Sequence, residues 1–405
     1  MQMINSSQIR DFFPSIDRVD DKNNKIIYLD GPGGTQVPIQ VIEAISQYYI
    51  RSNANTHGEF ITSKETDCIM EELRYKMSEF LGSDNPSTIS IGQNMTSLNY
   101  SLARALSKKF NSGDEVVITE LDHEANRGPW MVLEKAGVKL VEVKLLQNGG
   151  LDYEDFKSKI NEKTVMVCMG MSSNALGTLN DFHSVRSFLP NNCLFLLDAV
   201  HYAPHFAINV SELGCDFLLC SAYKFYGPHV GFLYSRPGLL DSLDTDRLVV
   251  QDQSAPFIIE TGTLNHAACA GVSAAIEFIA SLGEGDSLRS KLVDAYSKIS
   301  VHEFALAKYL HDSLCVLDKV NVVGQDFSNT KRTPTVSFVH SDYTPNEICK
   351  KLASSNICAW DGHFYALKAI QQLGLEKKGG VTRLGISIYN TKEEVERVVS
   401  VISNL

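Results

Sequence analysis

Between residues 88 and 234 the chain alternates short, unbroken apolar runs with longer amphipathic stretches, and no other feature restricts the fold as much. The runs are Thr88–Ile91, Val116–Thr119, Leu140–Val143, Val165–Met169, Leu194–Leu197, Phe217–Leu219 and Gly231–Tyr234. A strand that is apolar at every position, rather than at every second one, is buried on both faces. That is the condition of a mostly parallel sheet covered by crossover helices. Segments such as Thr96–Lys109 and Trp130–Ala136 are long enough to be those crossovers. The expected fold is α/β, with a large domain built on a mainly parallel seven-stranded sheet.

The flanks differ in texture. Lys64–Leu81 is expected to be a helix, with Ile69, Leu73, Met77 and Phe80 on one face and Gly82 closing it. After about residue 265 come a long helical run (His266–Leu282), a charged helix (Ser287–Ser313) and shorter strands at Thr335–Val339 and Arg383–Ile388. A last helix, Lys392–Val401, carries Thr391 as its cap and Glu394 at the capping-box position. A chain of 405 residues suits two domains. The expected division is 22–265 for the large domain and 266–405, with about 1–21, for a smaller α+β domain.

Several function classes drop out. Lys and Arg number 37 against 48 Asp and Glu, so the net charge is −11, which disfavours nucleic acid or an anionic membrane as main partner. No apolar run approaches the ~18–20 residues of a membrane span. The N-terminal Met-Gln-Met-Ile-Asn-Ser-Ser lacks the basic and apolar regions of a secretory signal, and a cytoplasmic location is expected. The nine cysteines contain no Cys-x-x-Cys pair and are expected to be free thiols; neither they nor the histidines show metal-ligand spacing.

Two blocks at strand ends carry the chemistry. One is Leu-Phe-Leu-Leu-Asp198-Ala-Val-His201; the other, 26 residues after Asp198, contains Ser221-Ala-Tyr223-Lys224-Phe-Tyr-Gly227-Pro228. A carboxylate ending one buried strand and a lysine just past another both face the crevice where ligands of open α/β sheets bind. Pyridoxal phosphate needs such a pair: a lysine for a Schiff base and an acid that keeps the ring nitrogen protonated. Gly92-Gln-Asn94-Met95-Thr96 follows a strand and opens a helix, so its N–H groups suit the phosphate, with Ser221 adding a hydroxyl. His123, just beyond a strand, is a candidate to lie on the ring face.

These blocks resemble fold-type I pyridoxal-phosphate enzymes of the class V aminotransferase group, and within it the cysteine desulfurases. The matching stretches are Tyr-Leu-Asp-Gly-Pro-Gly-Gly (28–34), Asp-His-Glu-Ala-Asn (122–126), Ser-Asn-Ala-Leu-Gly-Thr (173–178), Asp-Ala-Val-His (198–201), Ser-Ala-Tyr-Lys-Phe-Tyr-Gly-Pro (221–228), Glu-Thr-Gly-Thr-Leu-Asn (260–265) and the tail from Arg383 to Thr391. The resemblance implies Lys224 as the Schiff-base lysine, Asp198 as partner of the ring nitrogen and His123 as the stacking group. It implies Asn174 near the ring hydroxyl, with His201 in place of the usual glutamine. Ser221 matches a phosphate ligand, and Tyr223 stands where a histidine is common. Thr263 matches a threonine that reaches the phosphate from the other subunit, so a homodimer with shared sites is expected. Arg383 matches the arginine that holds the substrate's α-carboxylate, a task suited to its planar fork of donors. Gly34 and His57 are further candidates on the substrate side.

One departure bears on the reaction. The desulfurases carry a nucleophilic cysteine on a mobile loop, and the loop that aligns with it here reads Ala359-Trp360-Asp361-Gly362-His363-Phe364-Tyr365-Ala366. Tyr365 takes the cysteine's place, and Trp360 that of a second arginine. Cys358 lies seven residues too early. The expected activity is therefore carbon–sulfur cleavage of a cysteine-type amino acid by elimination. The alternatives are desulfuration through another thiol, which would need a sulfur acceptor, transamination, epimerisation, and cofactor binding without catalysis.

Overall fold

Each of the seven apolar runs is a strand, and together they form one sheet. The structure, a computed structural model, describes residues 6–328 and 330–405. Asn329 and residues 1–5, the start of the segment expected to join the smaller domain, lie outside the described residues. The strands are β1 (Ile89–Gly92), β2 (Glu115–Thr119), β3 (Lys139–Val143), β4 (Thr164–Gly170), β5 (Leu194–Asp198), β6 (Phe217–Ser221) and β7 (Gly231–Ser235). Their order is β1-β7-β6-β5-β4-β2-β3, antiparallel only where β7 meets β1 and β6. The central strands β5, β6 and β7 are buried at every residue, and the edge strand β3 is the one that reaches solvent. Because β1 lies antiparallel to β7 and β7 to β6, strands β1, β2, β4, β5 and β6 all end at the same edge.

The helices follow the punctuation of the sequence. Helix α1 (Ile61–Leu81) stops at Gly82, whose φ of 70° is the left-handed closing turn. Helix α2 (Met95–Ser107) starts at Asn94, whose side chain accepts the Ser97 N–H at 2.9 Å. Helix α3 (His266–Ser281) is buried on nearly all sides. Helix α4 (Leu288–Cys315) has Ser287 as its cap, and helix α5 (Lys392–Ser403) has the expected Thr391–Glu394 capping box. None is long and apolar enough, among the described residues, to cross a membrane.

A second sheet holds β8 (Val320–Val323), β9 (Thr335–His340), β10 (Trp360–Gly362) and β11 (Val381–Gly385), in the order β10-β11-β9-β8 and antiparallel throughout. The strand expected over Arg383–Ile388 ends early, because Asn390 Oδ1 accepts the Ser387 N–H at 2.8 Å and turns the chain. The cores do not respect sequence order. Helix α3 and the first half of α4, through Ile299, join the core of the large sheet, whereas the second half of α4, from Leu306, packs with Ile27, Leu29 and the small sheet. We propose that α4 is the element connecting the two units expected at 22–265 and 266–405.

Candidate active site

The shared edge of the large sheet brings the sequence candidates together. Strand β5 delivers Asp198 at its last residue; β6 delivers Ser221, and the single helical turn after it delivers Tyr223 and Lys224. The turns after β1, β2 and β4 supply Asn94, Met95, Thr96, His123 and Asn174. All of these, with His201, line one cavity. A second cavity adjoins it, sharing among others Thr96, His123, Asn174, Tyr223 and Lys224, and its wall also includes Tyr100, Glu124, Trp360, Phe364, Tyr365 and Arg383.

Electrostatics inside are set by burial. Burial, together with the positive charge of Arg383, pushes the Lys224 amine down to about 7 against the pull of Asp198. Burial pushes the Asp198 carboxyl up to about 7, with Asp122 adding to the rise; the Val200 N–H, 2.9 Å from Oδ1, opposes it. Lys224 Nζ donates to the Pro32 carbonyl and lies 4.7 Å from the centre of the Tyr223 ring, which stacks on His229 at 4.6 Å. Gly34 lies against the same ring: a Cβ there would come within 3.3 Å of it, and the φ of +153° is open to glycine.

His123 is a neutral, flat wall. Its Nδ1 accepts the Ala125 N–H at 2.9 Å, and burial with the charges of Lys224 and Arg383 pushes the imidazole down to about 4. Burial likewise holds His201 well below its ordinary value, and its Nε2 sits 3.1 and 3.2 Å from the hydroxyls of Thr335 and Thr333. Ser221 Oγ accepts the Met95 N–H at 3.0 Å, so a hydroxyl stands at the N-terminus of α2, where anions are favoured. Arg383 donates to the Asn174 carbonyl at 3.0 Å, and its guanidinium lies 3.9 Å from the centre of the Phe364 ring.

The loop that aligns with the desulfurases' mobile segment is docked here. The carbonyl of Tyr365 accepts the Glu124 N–H at 2.7 Å, and that of Phe364 accepts Asn174 Nδ2 at 2.8 Å. Phe364 and Tyr365 take positive φ values of 50° and 59°, and the Tyr365 ring stacks on His123 at 5.4 Å. No local spacing in the sequence hints at these bonds, since they join segments far apart in the chain.

Two candidates fall elsewhere. Thr263 is exposed just before α3, and His57 is exposed in a turn whose backbone N–H donates to Asp67 at 3.0 Å; neither is among the residues lining the inner or the outer cavity. Among the lining residues that the sequence did not single out are Asp122, Ser172 and Tyr100. Asp122 takes the N–H groups of Gly170 and Thr119 at 2.7 and 3.3 Å, and burial pushes it up to about 6. Its signal was adjacency to His123 in one block. Ser172 lines the inner cavity and Tyr100 the outer one.

Pyridoxal phosphate fits this donor set. The Asp198 carboxyl, raised by burial, is the kind of group that a protonated ring nitrogen would lower again. Asn174 Oδ1 and Ser172 Oγ are buried polar atoms without a partner among the described residues, and both belong to cavity-lining side chains. The start of α2 with Ser221 suits a phosphate, and Lys224 is a buried amine close to neutrality.

Comparison with known proteins agrees. The sequence model of the aminotransferase class-V family matches residues 27–398. A probable cysteine desulfurase of Halalkalibacterium halodurans is 30% identical over 410 residues, 97% of this chain and 96% of that one. An aminotransferase-like protein of Gibberella zeae is 28% identical, covering 96% of each chain. The apo structure of a cysteine desulfurase from Thermococcus onnurineus NA1 superposes with a TM-score of 0.86 at 27% identity, covering 100% of this chain and 98% of that one.

Proposed function

The chain belongs to the class V aminotransferase family, a family of pyridoxal-phosphate enzymes, and on that premise we propose that it cleaves the carbon–sulfur bond of a cysteine-type α-amino acid by β-elimination. One observation carries the choice of elimination. No cysteine among the described residues lines either cavity, and Tyr365 occupies the docked loop instead. Cys358 lines a separate depression, and burial pushes its thiol up to about 11, away from the thiolate that sulfur attack requires.

Bound here, pyridoxal phosphate supplies an aldehyde that joins amines and a protonated ring that withdraws electrons from the substrate's α-carbon. In this reading Lys224 would attach the cofactor, Asp198 would keep the ring nitrogen protonated and His123 would cover a ring face. Asn94, Met95, Thr96 and Ser221 would hold the phosphate, with Thr263 of a second copy completing the cradle in a homodimer. Asn174 and His201 would stand near the ring hydroxyl, and Tyr223, whose ring lies 4.7 Å from Lys224 Nζ, would be a further cofactor contact. Arg383 takes the substrate's α-carboxylate, with Gly34 and His57 on the substrate side.

Lys224 Nζ, a partly neutral amine at pH 7, accepts the α-proton. The Tyr365 phenol gives a proton to the departing sulfur. Water then releases ammonia and leaves pyruvate. We place the enzyme in the cytoplasm.

The test supplies cysteine and S-substituted cysteines to the holoenzyme. Pyruvate with ammonia supports elimination. Alanine with a protein-bound persulfide means desulfuration, and a keto-acid-reversible conversion of the cofactor to its amine form means transamination; either overturns the proposal.

A further inference from the structure

We infer that the outer cavity selects a substrate whose side chain ends in a large apolar or aromatic group, received by Tyr100, Trp360 and Tyr365. The inference rests on the reading of the site as one that acts on an α-amino acid, and it adds the class of side chain.

Continuity between the cavities comes first. Lys224 and Arg383 both line the outer cavity. A substrate held by its carboxylate at Arg383, with its α-carbon at Lys224, has the rest of that wall left for its side chain. The wall is aromatic. Tyr100 is 37%, Trp360 55% and Tyr365 67% exposed, an unusual concentration of wet ring surface at one mouth. A whole ring of this kind buries roughly 150–250 Å² in a core, and covering the exposed part of these three favours an occupant with apolar area.

Charge supports the same choice. The cations lining the outer cavity, among the described residues, are Lys224 and Arg383; in this reading Arg383 is taken by the substrate's α-carboxylate and Lys224 by the cofactor and the α-proton. Glu124, the acid of that lining, is 3.3 Å from Arg127 Nε, and it shares that guanidinium with Glu142. A second carboxylate on the substrate would find no free cation there, only neutral donors, and would lose water. An unsubstituted thiol would leave the rings wet.

The pocket is also preformed. Phe364 and Tyr365 hold left-handed backbone angles that non-glycine residues avoid, and the bonds from Asn174 and Glu124 fix them there. A wall set before binding loses little freedom when the ligand arrives. Trp360 closes it on the side of Gly33, where a Cβ would come within 3.0 Å of the indole nitrogen.

The experiment titrates the holoenzyme with L-cysteine, S-methyl-, S-benzyl- and S-carboxymethyl-L-cysteine and with L-phenylalanine. Affinity is read from the change in the bound cofactor's absorption, and cleavage from pyruvate. S-benzylcysteine and phenylalanine are expected to bind at least tenfold more tightly than S-methylcysteine, with S-carboxymethylcysteine weakest. Trp360→Arg should reverse the order of the benzyl and carboxymethyl compounds, and Tyr365→Ala should narrow the benzyl preference. Equal affinity across the panel, or an order that neither variant changes, overturns the inference. Should the apolar ligands bind in the expected order while no pyruvate forms, the elimination reading fails and the pocket stands. Pyruvate from every cysteine derivative at similar affinity overturns the pocket and leaves elimination standing.

Discussion

Asn174 donates from Nδ2 to the Phe364 carbonyl at 2.8 Å, while its Oδ1 is buried without a partner among the described residues. A carbonyl can only accept, so the atom facing Phe364 must be the amide nitrogen, and the oxygen is the atom left over. The same residue thus anchors the aromatic loop and leaves a spare acceptor on a cavity-lining side chain.

Replacing that donor should release the loop. Asn174→Asp sets a carboxylate oxygen against a carbonyl, and Asn174→Ala removes a hydrogen bond of about 1 kcal/mol. The Glu124 N–H, 2.7 Å from the Tyr365 carbonyl, reports on docking. Its hydrogen exchange should quicken roughly fivefold in the alanine variant, as that energy implies, and more in the aspartate one. Unchanged protection in the aspartate variant would show that the loop docks without Asn174.

The raised Asp198 carboxyl gives a pH signature in the cofactor-free protein. Its folded value of about 7 lies above the ordinary carboxylate value of 3.8. Between those values the folded state holds a proton that the unfolded state has lost, so stability falls as pH rises from about 4 to 7 and is flat beyond. Asp198→Asn keeps the shape and cannot ionise. Its Tm advantage over the wild type should grow from pH 5 to pH 7 and then level off. An advantage that stays constant over that interval would mean that Asp198 is already ionised below pH 5 in the fold.

A close backbone approach builds the anion site. A Cβ on Gly231 would lie 2.2 Å from the Asn94 carbonyl carbon and 2.6 Å from the Met95 nitrogen. Gly231→Ala must therefore push the start of α2 away from Ser221. The variant is expected to remain folded by circular dichroism yet lose pyridoxal phosphate on dialysis at least tenfold faster than the wild type. Equal retention would remove the start of α2 from the phosphate site.

What the sequence made legible was local. Strands buried on both faces announce themselves as unbroken apolar runs, and Asp198 and Lys224 stand at the ends of two of them. Thr391 was legible as a cap because capping is a short-range bond. The orientation of Asp122 was not, since it depends on the Gly170 N–H at the end of a neighbouring strand. The docking of Tyr365 depends on Glu124, hundreds of residues earlier in the chain, and no spacing rule encodes such a bond. The resemblance supplied the expectation of a mobile loop there. The hydrogen bonds to the Phe364 and Tyr365 carbonyls, from the Asn174 side chain and the Glu124 backbone, and the positive φ angles of both residues describe a seated one.

The Tyr365 phenol separates two roles by a single oxygen. Tyr365→Phe keeps the ring that stacks on His123 at 5.4 Å and removes only the hydroxyl. Protonating a leaving group matters in proportion to its basicity, and a positioned acid contributes roughly 10²–10⁴-fold. For an S-alkylcysteine, whose thiolate is a poor leaving group, kcat should fall by about 10²-fold or more with little change in KM. For an S-nitrophenylcysteine, whose thiolate leaves unaided, kcat should hardly move. A loss of equal size with both substrates would make the hydroxyl a positioning contact rather than a proton donor. No loss with either would leave the ring alone as the contribution of Tyr365, and the proton would then have to come from Lys224, which carries the one taken from the α-carbon.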